Sequence, residues 1–138
     1  MSTESMIHSL YNAFNSRDFD QGAALIADDA LWVNIATGQT FQGPEGYKQF
    51  VQGWSGAFPD SKVDVYKVIV ANGYVVVEFH GQGTHTGPLQ TPAGPIPPTG
   101  RQVDIPFCEV YEIKNGRVVS AHTYFDSATM MRQLGLIS

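Results

Sequence analysis

The chain has 138 residues, of which 43% are hydrophobic and only 15% charged, and its formal net charge is -5. That length fits one domain with a substantial core, and the acidic balance argues against nucleic acid or an anionic membrane surface as the main partner. A lone Cys108 allows no internal disulfide, no apolar run approaches a membrane span, and Met1-Ser2-Thr3-Glu4 lacks the basic start of a signal peptide, so the cytoplasm is the expected compartment.

Ser2 or Thr3 can cap a first helix whose apolar positions Met6, Ile7, Leu10, Tyr11 and Phe14 fall on one face. Asn15-Ser16-Arg17-Asp18 breaks it, and Phe19, Ala23, Leu25 and Ile26 mark a short second helix. Asp28-Asp29 reads as the solvated end of that segment. A strand is expected over Ala30 to Ile35. Gly43-Pro44-Glu45-Gly46 starts a third helix with Pro44 in its first turn, burying Tyr47, Phe50, Val51 and Trp54.

A hairpin on Asn72-Gly73 follows, because Asn and Gly tolerate the positive φ of a type I′ turn. Its register pairs Lys67 with Glu78, Val68 with Val77, Ile69 with Val76 and Tyr66 with Phe79. Val75, Val77, Phe79, Gly81, Gly83 and His85 then face inward and His80 outward. Residues 86–100 hold five of the eight prolines and three glycines. A loop of that length inside a domain is usually functional or mobile.

A second hairpin turns on Asn115-Gly116. Counting outward from the turn pairs Ile113 with Val118, Tyr111 with Ser120, Glu109 with His122, Phe107 with Tyr124 and Ile105 with Asp126. One side of that ribbon is apolar at Ile105, Phe107, Ile113 and Val118, yet carries Glu109, His122 and Asp126. Titratable groups on an apolar wall are the raw material of acid and base catalysis, which makes this wall the candidate site. Ser127 to Leu134 forms a last helix with Gly135 as its C-cap. The whole is a single α+β domain, residues 1–138, with a strongly bent antiparallel sheet against three N-terminal helices.

That element order resembles the cone-shaped fold of the nuclear transport factor 2-like (cystatin-like) superfamily, and within it the SnoaL-like polyketide cyclases, also called ester cyclases. The resemblance runs over nearly the whole chain. Gly83-Thr84-His85-Thr86-Gly87, Pro97-Pro98-Thr99-Gly100-Arg101, and Tyr124-Phe125-Asp126 followed by Arg132-Gln133-Leu134-Gly135-Leu136 carry it. The resemblance implies an intramolecular aldol condensation with no cofactor and no metal, and places the family's acid/base aspartate at Asp126. Family members often have Trp where this chain has His122, so the usual substrate does not carry over.

Asp126 and His122 are thus the expected catalytic pair, in a mainly apolar cavity for a hydrophobic small molecule. His85, Glu109, Tyr124, Phe107, Tyr11, Trp32 and Trp54 are the expected substrate contacts. Asp126 also directly precedes a helix, where Asp is a preferred N-cap, and Glu109 with His122 also reads as a cross-strand polar pair. His8, His80, His85 and His122 show no metal-ligand spacing. A non-catalytic binding module and an isomerase or epoxide hydrolase on the same fold are the competing functions. The latter needs an Asp-Arg-Asp set, and Arg101 and Arg117 sit at strand ends or turns. An apolar outer face, read as Cys108, Val110, Val119, Ala121, Thr123 and Phe125, predicts a homodimer through the sheet.

Overall fold

The computed structural model describes residues 2–138. The elements run α1 (Thr3–Ser16), α2 (Phe19–Ala23), β1 (Ile26–Asn34), β2 (Gln39–Gln42), α3 (Gly43–Ala57), β3 (Lys62–Ala71), β4 (Tyr74–Thr84), β5 (Leu89–Thr91), β6 (Gly94–Ile96), β7 (Gln102–Lys114), β8 (Arg117–Phe125) and α4 (Ser127–Gln133). Six strands form one curved sheet in the order β2-β1-β8-β7-β4-β3, and β5 with β6 makes a separate two-stranded ribbon. Helices on one face and a bent sheet beneath them are the expected α+β layering. The sheet differs from expectation in being mixed: β1 lies parallel to β8.

Local chemistry explains the elements. The Ser2 side chain accepts the Ser5 N–H at the start of α1, satisfying one of the orphan donors of the first turn. Met6, Ile7, Leu10, Tyr11 and Phe14 are all buried on its inner face. Pro44 sits in the first turn of α3, which buries Tyr47, Phe50 and Val51. Both hairpins turn where predicted. Asn72 and Gly73 have φ of 51° and 81°, Asn115 and Gly116 φ of 54° and 72°, the left-handed pair that a type I′ turn requires.

The first hairpin keeps its predicted register at Lys67–Glu78, Val68–Val77 and Ile69–Val76. A shift between Val65 and Lys67 then sets Val65, rather than Tyr66, opposite Phe79. Val75, Val77 and Phe79 are buried against the helices and His80 is on the outer face beside Tyr66.

The second hairpin does not keep its predicted register. Ile113 pairs with Val118, but Glu112 already pairs with Ser120, so Val119 has no partner of its own. Such a bulge advances one strand by a single residue and sends every later side chain to the opposite face. Beyond it Tyr111 pairs with Ala121, Glu109 with Thr123 and Phe107 with Phe125. Ala121 and Thr123, expected outside, are buried inside. His122 and Tyr124 take the outer face, which also carries Val33, Val110, Val76 and Ile69 in register across five strands. Asp28 and Asp29 are exposed as expected, but within β1 rather than at a helix end.

Candidate active site

A narrow cavity of about 80 Å³ opens between the concave face of the sheet and helices α1 and α3. Aromatic side chains form much of its wall: Tyr11, Phe14, Trp32, Tyr47, Phe50, Trp54, Phe58, Phe79, Phe107 and Tyr111 line it. Trp54 packs edge-on against Phe107 and Phe125, while Phe79 and Phe107 stack with centroids 5.0 Å apart. Gly81 is a glycine because Phe107 crosses it: a Cβ there would lie 2.8 Å from that ring.

The two ends of the cavity differ. Lys62 and Gln82, both exposed, mark the mouth. Glu109, Tyr111, Thr123 and Trp32, all buried, mark the floor. Glu109 sits opposite Val77 and Gln82 lies five residues further along β4, so the chamber is roughly 17 Å long at about 3.4 Å per residue.

Glu109 is the polar centre of that floor. Its Oε1 accepts the Tyr11 hydroxyl and the Tyr111 hydroxyl, each at 2.7 Å, and its Oε2 accepts the Thr123 hydroxyl. Trp32 Nε1–H donates to Thr123 Oγ1 at 2.8 Å. Four elements therefore meet at one carboxyl: α1 supplies Tyr11, β1 Trp32, β7 Glu109 with Tyr111, and β8 Thr123. Burial pushes the Glu109 carboxyl above its ordinary range, against the three hydrogen bonds that favour its ionised form. Burial and the neighbouring Glu109 push the Tyr11 and Tyr111 hydroxyls far up as well. A carboxyl raised in this way is suited to acid or base chemistry.

Five of the expected site residues gather here: Glu109, Phe107, Tyr11, Trp32 and Trp54. The other four do not. Asp126 is exposed and turned back on α4, with Oδ1 accepting the Ala128 and Thr129 N–H groups and Oδ2 the Thr129 hydroxyl. Those bonds hold its carboxyl below the usual range. It is the helix cap that its position allowed, and not part of the cavity wall. His122 and Tyr124 are on the outer face because of the bulge at Val119, so His122 is neither Glu109's partner nor a cavity residue. Thr123 and Tyr111 replace them. The signal was there to be read: Val118, Ala121, Thr123 and Phe125 form the more apolar set, and the more apolar set belongs inside.

His85 has no accessible surface, yet it lies outside the cavity lining. The Thr99 N–H donates to its Nδ1 at 3.2 Å, and the Thr99 hydroxyl lies 3.0 Å from the same nitrogen. The His85 N–H donates to Arg101 O, and the Gly100 N–H to His85 O, closing the two ends of segment 86–100 side by side. That segment holds the β5–β6 ribbon, which buries Leu89. Gly87 lies so close to α3 that a Cβ there would be 1.9 Å from Gly56 O. His85 is therefore the clasp of a built loop.

Burial pulls the His85 pKa below its ordinary value. Between the unfolded value, about 6.5, and the lower folded one, the unfolded chain binds more protons, so stability is full above pH ~6.5 and falls as the solution is acidified below it. Urea unfolding at stepped pH should show this decline in the wild type. It should flatten in His85→Asn, which retains a side-chain acceptor for Thr99 but does not titrate.

Among the described residues no group of three His, Cys, Asp or Glu side chains is placed to hold a metal ion, and no helix is long and apolar enough to cross a membrane.

Comparison with known proteins agrees with this architecture. The family model of the SnoaL-like polyketide cyclases matches residues 5–134. The crystal structure of IdmH, a proposed polyketide cyclase from Streptomyces antibioticus, is similar over 98% of this chain and 99% of its own, at 29% identity and a TM-score of 0.79. A proposed SnoaL-like polyketide cyclase from Jannaschia sp. CCS1 shares the fold at 21% identity and a TM-score of 0.83, over 97% of this chain and 92% of its own. A Catenulispora acidiphila protein with a ketosteroid isomerase-like fold does so at 18% and 0.81, over 99% and 96%. No curated protein sequence matches the chain.

Proposed function

The chain belongs to the SnoaL-like polyketide cyclase family, and from that premise we propose that it is a cofactor-independent enzyme that closes a ring in a small, mainly apolar molecule by intramolecular aldol condensation. Glu109 is the residue that moves the proton. The observation that carries this reading is a carboxyl at the closed end of an aromatic chamber, bonded by three hydroxyls and raised by burial above its ordinary range. In an apolar surrounding a carboxyl exchanges protons with a carbonyl substrate more readily than an exposed one does, because its charged form is not solvated by water. The chamber's roughly 17 Å length, its narrowness and its aromatic wall suit a slender, mainly apolar β-keto ester.

The test compares Glu109→Gln with Asp126→Asn on tethered β-keto esters. Turnover should vanish with the first change and survive the second. The opposite pattern would return the chemistry to Asp126 and sink the assignment.

A second reading, a binding module for a hydrophobic small molecule, is favoured by how little of the cavity wall is polar. It would show ligand affinity and no turnover in any variant. An epoxide hydrolase is not supported, since no arginine lines the cavity among the described residues.

The outer face supports a homodimer. Val33, His122, Val110, Val76 and Ile69 stand in register across it, with Leu31, Tyr66 and Tyr74 also exposed. Sedimentation should give twice the monomer mass at micromolar concentration, and Val110→Lys should return it to monomer. A wild-type monomer at that concentration would remove the proposal.

A further inference from the structure

Three oxygens meet at the cavity floor in a nearly equilateral triangle. Glu109 Oε1 is 2.7 Å from Tyr11 Oη and 2.7 Å from Tyr111 Oη, and the two phenol oxygens are 2.8 Å apart. Oxygens at that distance are bonded only when a proton lies between them. Each phenol brings one proton, and a carboxylate brings none. Thr123 cannot supply the third, because its oxygen accepts the Trp32 N–H and its own proton goes to Glu109 Oε2.

With Glu109 ionised, three contacts share two protons. Either the two phenol oxygens face each other through lone pairs alone, or one phenol turns away from the carboxylate. With Glu109 protonated on Oε1, every oxygen of the triangle donates once and accepts once. All three contacts are then hydrogen bonds.

The surroundings point the same way. Facing Glu109 are the phenols of Tyr11 from α1, Tyr47 from α3 and Tyr111 from its own strand, with Cys108 next to it on the opposite face. None of these carries positive charge. The one cation lining the cavity among the described residues is Lys62, at the mouth, too far away to balance a buried anion.

We propose that Glu109 rests as a neutral acid and that the site begins by giving a proton, so that its substrate is a 1,3-dicarbonyl that arrives already enolised. The inference rests on the cyclase reading for its substrate half. No second carboxyl and no histidine lines the cavity among the described residues, so nothing there is placed to abstract a carbon-bound proton at the outset. A 1,3-dicarbonyl makes that abstraction unnecessary, because it enolises in water. The enol carbon attacks the carbonyl carbon within the same molecule and a C–C bond forms. The carbonyl π bond breaks and its oxygen takes the Glu109 proton to become a hydroxyl. The enol O–H proton is released as that oxygen becomes a carbonyl, and it returns to the Glu109 carboxylate. Atoms and charge balance, and the enzyme ends neutral.

The test is carbon NMR of the Glu109 carboxyl in the unliganded wild type, assigned through bonds from its own Cγ so that no variant has to fold. A neutral-acid shift at neutral pH is the expected result, and a carboxylate shift overturns the proposal whatever the enzyme turns over. Turnover supplies the second arm. A tethered 1,3-diketone should cyclise at a rate that falls as pH rises through the Glu109 titration, because the acid form is the active one. Equal turnover of a tethered simple ketone, or a rate that rises with pH, overturns the acid-first reading. If no ketone is turned over while the carboxyl signal is that of the neutral acid, the cyclase reading fails and the proton assignment stands.

Discussion

Glu109→Gln should lower turnover by a factor of about 10² to 10⁴, the usual contribution of a positioned acid or base, while changing ligand affinity only a few-fold. The substitution is nearly isosteric, and its amide oxygen still accepts while its NH2 donates, so most of the floor's hydrogen bonds are kept although the nitrogen cannot accept. It removes the transferable proton. Phe79, Phe107, Trp54 and Phe58 belong to the apolar wall that a ligand would meet, and none of that wall is altered. A parallel loss of affinity and turnover would mean that Glu109 holds the ligand rather than reacting with it. Steady-state kinetics paired with calorimetry on an unreactive analogue separates the two.

Phe107→Ala should destabilise the protein by about 3–5 kcal/mol, as for other buried aromatic truncations. Phe107 is 8% exposed and touches a ring on every side: Phe79 stacked at 5.0 Å, Phe125 at 5.0 Å and Trp54 edge-on at 5.6 Å. It also covers Gly81, which has no side chain to fill the gap. Against a total stability of about 5–15 kcal/mol for a typical domain, that loss brings the variant near its unfolding limit and should lower Tm by roughly 10–15 °C. Calorimetry decides it. A drop of only a degree or two would mean that the neighbouring rings collapse into the space. If the variant stays folded at low temperature, its chamber should accept bulkier ligands than the wild type does.

Most of the architecture could be read from side-chain pattern. Helix α1 was legible from its apolar stripe, α3 from Gly43-Pro44, and both hairpins from their Asn-Gly turns. The mixed sheet was not, because nothing local distinguishes a strand that pairs parallel with β8 from one that pairs antiparallel. The sequence locates the candidate site more surely than it names every residue of it. Glu109, Phe107, Tyr11, Trp32 and Trp54 line the cavity as their pattern predicts, whereas a straight count from the turn across the bulge brings His122 and Tyr124 to the wrong face. A bulge at Val119 has no signature of its own, since Val suits either side of the kink. Only the weight of the alternation beyond it shows which face is inside. Asp126 had two compatible roles in the sequence, and the structure shows the first of them, the cap, through hydrogen bonds to its own helix. His85 read as a pocket residue because its parity along β4 is inward, but the strand ends at Thr84 and parity stops there.

The unpaired Val119 makes the phase of β8 a chemical variable. Were Val119 drawn into the ladder opposite Glu112, the straight count from the turn would return and the two columns of the strand beyond it would exchange. His122 and Tyr124 would rotate toward Glu109, and Thr123 would leave with the hydroxyl that now binds Oε2. Deleting Val119 would do the reverse: Ser120 would follow Val118 and still meet Glu112, so the bulge would go and the present pairs would stay. The floor therefore depends on where an extra residue sits rather than on how many residues the strand has. In a sheet of this kind, chemistry can be altered by changing a strand's phase without any side chain being replaced.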